Sequence, residues 1–364
     1  MAINMAEVRK NFDQYLVKDT ERMNAVRLAP RPDNGFYGPG TLNWELAEET
    51  PLAFILGIYR GAIEVLFDPQ VAESVSTHSV MQSDTLTRAR RSIMFFQMAA
   101  FGDSESAIRA GRTLYRVHSH INGFDPITMR EYDGTSVEMA LWTHALGIVA
   151  IADAFAQFGR PLSKAEKDRF AAENVPFAQL VGVDPKDVPT TFEGLREIAL
   201  GWLPRMALGL KGTRDIDFLL RTPWNSPGVM SVAGPALRVV SIAMSRHLAP
   251  ELLEMARFHP SKFSVRLAEI VVRAIVQVQG RGPLRDIVQI VSPEGWGMMR
   301  QAFEADPNLP LAAPEIRANA HLLVRQDGPG NKHSDLEHSP FVRDQATNTT
   351  LQVGKPEYLQ SHSA

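Results

Sequence analysis

The chain contains no cysteine, and this absence removes several kinds of chemistry at once. Disulfides, iron–sulfur clusters, thiolate-bound haem and cysteine nucleophiles all need a sulfhydryl group. The sequence also lacks HExxH, GxSxG and GxxxxGK(S/T) motifs, a GxGxxG motif after a strand, and the Glu-x-x-His pairs of di-iron bundles. Zinc proteases, serine hydrolases, P-loop enzymes and di-iron enzymes are therefore poorly supported.

A large excess of charge of one sign is lacking too. The 38 lysines and arginines nearly balance the 41 aspartates and glutamates. A chain without a basic field is a poor ligand for phosphate backbones. We expect no nucleic-acid partner.

Long uninterrupted apolar runs are missing as well. Residues 1–20 hold no apolar core of a secretory signal. The most apolar long segment, 137–158, is interrupted by His144 and Asp153 and has a helical period, which favours a core helix over a membrane span. We expect a cytoplasmic protein without a transmembrane segment, and its oligomeric state stays open.

Helical periodicity is present over most of the chain. Alternating apolar and polar residues never continue beyond about four positions, so the sequence predicts no long strands. Residues typical of helix ends mark the boundaries. The predicted starts and ends are Ser83 or Asp84 (start), Asp103 or Ser104 (start), Asn122 with Gly123 (end), and capping boxes at Thr135 with Glu138, Ser163 with Glu166, and Thr190 with Glu193.

These patterns predict an all-α fold with a single multi-helix domain. Residues 1–33 form a helical or irregular extension, and residues 34–305 form the domain itself. From 306 onward the composition turns polar. Polar segments of this kind bury too little apolar surface to fold, so 306–364 is expected to be a flexible tail.

His118 is the first candidate functional residue. It follows the apolar stripe of the helix that starts near Asp103, and Gly111 lies two turns earlier on the same face. A helix-borne neutral imidazole is a standard axial ligand of haem iron, and a nearby glycine leaves room for a flat macrocycle. A buried histidine bonded to a backbone carbonyl fits the same spacing. His120 faces away from His118, so the two cannot chelate one ion.

His144 and a basic cluster are the other candidates. His144 lies in the middle of the apolar stripe of 137–158, either as a satisfied core histidine or as a group that orients a ligand or bonds a cofactor. Arg88, Arg91 and Ser92 share one helix face and can meet haem propionates or bound oxygen. They can equally form a solvated helix end, although cations at a helix N-terminus oppose its dipole.

Six blocks of the chain, in order, carry a resemblance to a known family. They are GFYGPGTLNWEL (35–46), FDPQVAESVSTHS (67–79), RARRSIMFFQMAAFGD (88–103), RTLYRVHSHINGF (112–124), LWTHALGIVAIADAFAQFGRPLSKAEKDRFAAE (141–173) and LVGVDPKDVPTTFEGLR (180–196). The chain resembles the family that unites the catalytic domain of rubber oxygenase (latex-clearing protein) with the MpaB-type oxygenases.

The resemblance implies a helical, haem-oxygenase-like catalytic domain over 34–305, with a globin-like helical core. It implies haem b with His118 as the axial ligand of the iron and Gly111 and Arg88 beside the cofactor. Arg88, Arg91, Ser92 and His144 become the catalytic candidates. The expected partners are dioxygen, a small hydrophobic, isoprenoid-like substrate whose double bond is cleaved, and an electron donor.

One departure and two alternatives accompany the resemblance. Rubber oxygenase has a lysine that can close the distal haem face, and Arg91 stands there. Arginine stays protonated and cannot bind iron, so we expect water or an open sixth position. A haem peroxidase would share His118 and the arginine, and a haem-free helical binding protein is the non-catalytic alternative.

Overall fold

The computed structural model describes residues 20–79, 85–222, 230–279 and 287–326, and two short strands at 343–344 and 349–350. Its regular structure is mostly helical, as the sequence predicts. In chain order the helices are α1 (20–27), α2 (Leu42–Glu49), α3 (Pro51–Glu64), α4 (Pro69–His78), α5 (Thr85–Phe101), α6 (Ser104–His118), α7 (Val137–Phe158), α8 (Lys164–Glu173), α9 (Val175–Leu180), α10 (Phe192–Gly201), α11 (Leu210–Leu220), α12 (Met230–Met244), α13 (Pro250–Met255), α14 (Lys262–Val278), α15 (Ile287–Val291), α16 (Pro293–Glu304) and α17 (Pro314–Arg325).

Side-chain caps begin several of these helices where the sequence predicts them. The carboxylate of Asp103 accepts a hydrogen bond from the backbone N–H of Ser106 and begins α6. The capping box of Ser163 with Glu166 is complete at the start of α8. The capping boxes predicted at Thr135 with Glu138 and at Thr190 with Glu193 are wrong, and each helix has a single side-chain cap one residue later. Ser136 and Thr191 cap α7 and α10 instead, because theirs are the hydroxyl groups that reach a free backbone N–H. The caps predicted at Ser83 and Asp84 lie outside the described residues.

A β-hairpin replaces the helix ending that the sequence predicts at Asn122 and Gly123. Helix α6 ends at His118, and strand β1 (Asn122–Asp125) pairs antiparallel with strand β2 (Arg130–Asp133). Gly123 lies against the ring of Tyr132, where a Cβ would come within 2.5 Å of the phenol oxygen. The glycine therefore serves the hairpin rather than a helix cap. The prediction of a purely α-helical chain is wrong at this point.

The core is organised around the crossing of α3 and α7. Helix α7 buries most of its side chains, including the fully buried Phe155. A Cβ added at Gly57 of α3 would lie 2.5 Å from the Cα of Ile151, so the two backbones touch there. At Gly61, one turn later, the nearest atom to such a Cβ is the Cα of Gly147 at 3.6 Å. Glycine is therefore a steric requirement at Gly57 and not at Gly61.

Buried charges join the same two helices beside the crossing. The guanidinium of Arg60 donates hydrogen bonds to Glu64 on its own helix and to Asp153 on α7, at 2.5 and 2.8 Å. Burial raises the pKa of Glu64, and the adjacent Arg60 opposes that rise. A buried charge needs such a partner to offset its lost hydration. The pair therefore fixes how α3 and α7 face each other.

The chain after 306 folds back onto the domain, so the prediction of a flexible tail from that residue is wrong for 306–326. Helix α17 packs against α6 and α9 and buries Ala320 and Val324 completely. The preceding loop is held by a backbone hydrogen bond from Ala312 to Gly35. The apolar side of α17 is short and surrounded by polar residues, which hides it in the composition. Most of 327–364 lies outside the described residues.

The N-terminal extension is helical in its described part. Helix α1 lies on α16, where a Cβ at Gly297 would come within 2.3 Å of the carbonyl oxygen of Met23. The guanidinium of Arg27 donates to Glu304 at 2.6 Å. Both ends of the described chain therefore contribute to the packing of the domain.

Two long helices are rich in apolar residues, but they differ in how much of this apolar surface is buried. Helix α7 is long and apolar enough to cross a membrane, as is the bent pair α2–α3, although most of α7 is buried within the fold, as in the core helix of a soluble protein. Helix α14 instead exposes its large apolar residues and buries only small or β-branched ones. The exposed residues are Phe263, Leu267, Ile270, Val271 and Val278.

The crossing of α3 and α7 gives the first prediction. Gly57→Ala forces the two backbones apart, and we expect it to lower the free energy of unfolding by about 1–3 kcal/mol in chemical denaturation. Gly61→Ala is the matched control. It adds the same methyl group to the same helix at ordinary van der Waals distance from α7, and alanine favours the helix, so its stability should not fall. Equal losses from both substitutions would contradict the close crossing.

Candidate functional site

Helix α5 keeps accessible surface near its start and at Phe96. Residues 87–92 and Phe96 are partly exposed, whereas Ile93 and Phe95 are buried. Within this set Arg88, Ser92 and Phe96 lie one turn apart along the same side of the helix. Burial nevertheless lowers the pKa of Arg88. Arg88 thus combines a strong effect of burial with remaining accessible surface, and this face of α5 is one side of the candidate site.

His118 faces the same region from the end of α6. Two influences lower its pKa to about 4, first burial and then the positive charge of Arg88. The imidazole is therefore neutral near pH 7. The effect of Arg88 also shows that its guanidinium lies near the imidazole of His118.

The hairpin fixes the orientation of His118. A hydrogen bond between its ring and the backbone of Gly134 opposes the lowering of the pKa, so the ring N–H is the donor. The backbone N–H of Gly134 donates to Ile121, which leaves the carbonyl of Gly134 as the acceptor for the ring. A Cβ at Gly134 would lie 2.5 Å from the carbonyl oxygen of His118. Glycine thus allows the approach that holds the imidazole.

The face of α5 that carries Arg88 is electropositive. Two influences lower the pKa of Arg88, first burial and then the charge of Arg91 one turn away. Within the described residues, no carboxylate contributes to the pKa of Arg88. A buried cation without a carboxylate beside it favours a guest with negative charge or a polarised oxygen atom.

His144 lies at the apolar end of the same region. It is 3% exposed, and within the described part of the chain neither of its ring nitrogens has a hydrogen-bond partner. Burial lowers its pKa to about 3. Its ring stacks on Phe177 with 5.9 Å between centroids, and Phe177 stacks on Phe96 at 5.0 Å. An unpaired buried polar group costs about 1–3 kcal/mol, so the fold alone does not account for this histidine.

Two further residues considered in the sequence lie elsewhere. A Cβ at Gly111 would meet the carbonyl oxygen of Leu180 at 2.6 Å and Val324 at 2.7 Å. The space above Gly111 is thus filled by helix packing, and we leave this glycine out of the proposed site. His120 is exposed, and its Nδ1 atom lies 2.8 Å from the carbonyl oxygen of Arg116, in agreement with its predicted outward direction.

The donor set fits a haem iron better than a metal held by side chains alone. Among the described residues, no group of three or more histidine, aspartate or glutamate side chains is placed to hold a metal ion. Haem iron receives its equatorial ligands from the porphyrin and needs one imidazole. His118 is neutral and has one nitrogen tied to a carbonyl, so the lone pair of the other is available. Two further features would be completed by a bound cofactor or ligand. They are the ring nitrogens of His144, which have no partner among the described residues, and the positive charge of Arg88.

A surface cleft of about 360 Å³ lies beside the last turn of α6. Its lining is polar and does not include His118. The lining residues are Tyr115, Ser119, Asn122, Glu131, Tyr132, Asp133 and Thr135. This lining also excludes His144 and the aromatic stack of Phe96 with Phe177, so we place the candidate site in the interior between α5 and α7.

Two residues of the candidate site are not predicted from the sequence. Gly134 and Phe177 have no local pattern that marks them. Each acts through a contact with an element distant in sequence, the imidazole of His118 for Gly134 and the stack with Phe96 and His144 for Phe177. The one local signal is that Gly134 lies two residues before Ser136, the cap of α7.

The buried imidazole of His144 gives a prediction for cofactor-free protein. Its pKa is about 3 in the fold, against an ordinary value of 6.5, so below pH 6.5 the unfolded chain binds a proton that the folded chain refuses. Relative to His144→Phe, the wild type should lose about 1.4 kcal/mol of unfolding free energy per pH unit between pH ~6 and ~4. Urea denaturation of both proteins measures this, and subtracting the curves cancels their shared carboxyl groups. Parallel curves would show that His144 is not buried in its neutral form.

The chain was compared with families, curated proteins and solved structures. A family model described as ER-bound oxygenase mpaB/B'/Rubber oxygenase, catalytic domain, matches residues 44–278. This confirms the resemblance found in the sequence. No curated protein and no solved structure matches, so a globin-like arrangement of the helices stays a prediction. Because the family model covers more than half of the chain, the protein belongs to the catalytic-domain family of the MpaB-type and rubber oxygenases and is an oxidoreductase.

Proposed function

We propose that the protein is a haem b-dependent oxygenase that oxidises a small hydrophobic, isoprenoid-like substrate with dioxygen and cleaves a carbon–carbon double bond. Family membership supports the oxygenase chemistry. The observation that carries the haem assignment is His118, an internal neutral imidazole whose ring N–H is anchored and whose neighbour Arg88 is a buried cation.

His118 is the proposed axial ligand of the haem iron. Its ring N–H donates to the carbonyl of Gly134, which fixes the tautomer and increases the electron density on the other nitrogen. Its lowered pKa keeps protons from competing for that nitrogen. The protein thus holds a ready ligand without needing a carboxylate beside it.

Arg88, Arg91 and Ser92 are the proposed hydrogen-bond donors on the α5 side of the site. When bound, the haem supplies the binding and activation of dioxygen. The arginines stay protonated and donate hydrogen bonds, so they stabilise negative charge that develops on oxygen. Beyond them the α5 side becomes apolar at Phe95 and Phe96, where a hydrocarbon chain can displace water.

The haem assignment predicts the spectrum of two histidine variants. Wild-type protein reconstituted with haemin should show a Soret band, and His118→Ala should lose it because the iron loses its only protein ligand. His120→Ala is the matched control, since that neighbouring ring is exposed and should leave the band unchanged. Wild-type protein with no band after reconstitution would favour the haem-free binding protein. A band that persists in His118→Ala would place the ligand elsewhere.

The electropositive face of α5 predicts a loss of turnover. Arg88→Gln keeps a polar side chain but removes the charge. We expect the rate of dioxygen consumption with geraniol or squalene to fall roughly 100-fold while the Soret band remains. Arg109→Gln is the control, because Arg109 lies exposed on α6. Equal rates in Arg88→Gln and the wild type would remove Arg88 from the mechanism, and turnover only with hydrogen peroxide would favour a peroxidase.

A further inference from the structure

We propose that His144 is the hydrogen-bonding end of the substrate pocket and that the substrate is an apolar chain with one neutral hydroxyl or carbonyl group. This inference rests on the proposed function for the identity of the reaction, and on the geometry around His144 for the polar group. It separates the substrate of this protein from an unsubstituted polyisoprene, which has no group that can pair with the imidazole.

The first support is the unused hydrogen-bonding capacity of His144. The side chain lies in the middle of α7 with 3% exposure, and no described residue pairs with either ring nitrogen. Buried polar groups are nearly always satisfied in folded proteins. A guest molecule that pairs with the ring would remove the mismatch.

The second support is the open space next to His144. Gly147 lies one turn further along α7, on nearly the same side. Among the described residues, nothing lies within 4 Å of the position that a Cβ would take at Gly147. Gly147 is also partly exposed, although Leu146 and Ile148 on either side are buried. Within the described part of the chain, helix α7 therefore leaves unfilled space one turn from the imidazole.

The third support is the chemistry of the surroundings, which selects the kind of polar group. The ring of His144 stacks on Phe177, and burial keeps it neutral. A neutral imidazole offers one donor and one acceptor, which a hydroxyl group matches and a carbonyl group matches in part. A carboxylate or phosphate would lose its hydration there without gaining a cation.

The arrangement of these residues also orients the hydrocarbon chain of the bound substrate. Phe96 connects the stack at His144 to the face of α5 that carries Arg88, two helical turns or roughly 12 Å away. A chain bound at His144 by its polar group therefore extends along the aromatic wall toward Arg88 and His118. The number of carbon atoms between the polar group and a double bond then determines which double bond lies near Arg88 and His118.

Titration of the haem-loaded protein with geraniol, and with the same chain lacking its hydroxyl group, tests this inference. Isothermal titration calorimetry should show that the wild type binds geraniol about tenfold more tightly. His144→Phe should abolish this preference while binding of the hydrocarbon stays unchanged. His144→Gln keeps a donor and an acceptor and should retain part of the preference.

Trp142→Phe is the matched control. Its indole N–H is also buried without a partner on α7, but the ring stacks on Trp202 in a different part of the core. This variant should keep the full preference for geraniol. Loss of the preference in Trp142→Phe and His144→Phe alike would point to a general disturbance of α7 and overturn the assignment to His144.

The remaining outcomes separate this inference from the proposed function. A wild type with a Soret band and no preference for geraniol overturns the inference and leaves the haem oxygenase standing. A preference that depends on His144 in protein without a Soret band keeps the binding site and overturns the haem oxygenase. Loss of the Soret band in His144→Phe would assign His144 to the cofactor and overturn the inference. A strong fall in stability of His144→Phe at neutral pH would show a structural role and overturn it too.

Discussion

The contact between the backbones of α3 and α7 is the constraint on which the rest of the site depends. At Gly57 the two helices approach until no side chain fits between them, and the buried pair of Arg60 with Asp153 prevents one from turning against the other. Helix α7 is thereby held in one position and rotation. That position brings His144 to the stack with Phe177. A small change in the distance or angle between α3 and α7 would displace the imidazole of His144 from the ring of Phe177.

The interior around the site combines cations and neutral imidazoles, an unusual choice for a buried region. Burial works against the charge of Arg88 and keeps His118 and His144 unprotonated. Such an interior is costly for an empty protein, because hydrogen-bonding groups lose water and gain too few partners. The cost is consistent with a site that a bound ligand completes.

Local patterns predict the helices well and the tertiary contacts poorly. Asp103 and Ser163 mark helix starts because a cap involves residues within one turn, and the resemblance identifies His118 because its block is contiguous. The hairpin at Gly123, the carbonyl of Gly134 that orients His118, and the packing of α17 depend on partners far away in sequence. The unpaired state of His144 belongs to this second group as well. Its position in an apolar stripe shows that it is buried and leaves its partners undetermined.

The hairpin between α6 and α7 has a mechanical consequence. Gly134 holds the ring of His118 from one side, and two residues later Ser136 caps the helix that carries His144. A displacement of the first turn of α7 is therefore transmitted through a very short stretch of backbone to the imidazole at the end of α6. The short segment from Gly134 to Ser136 therefore sets the position of one histidine relative to the other.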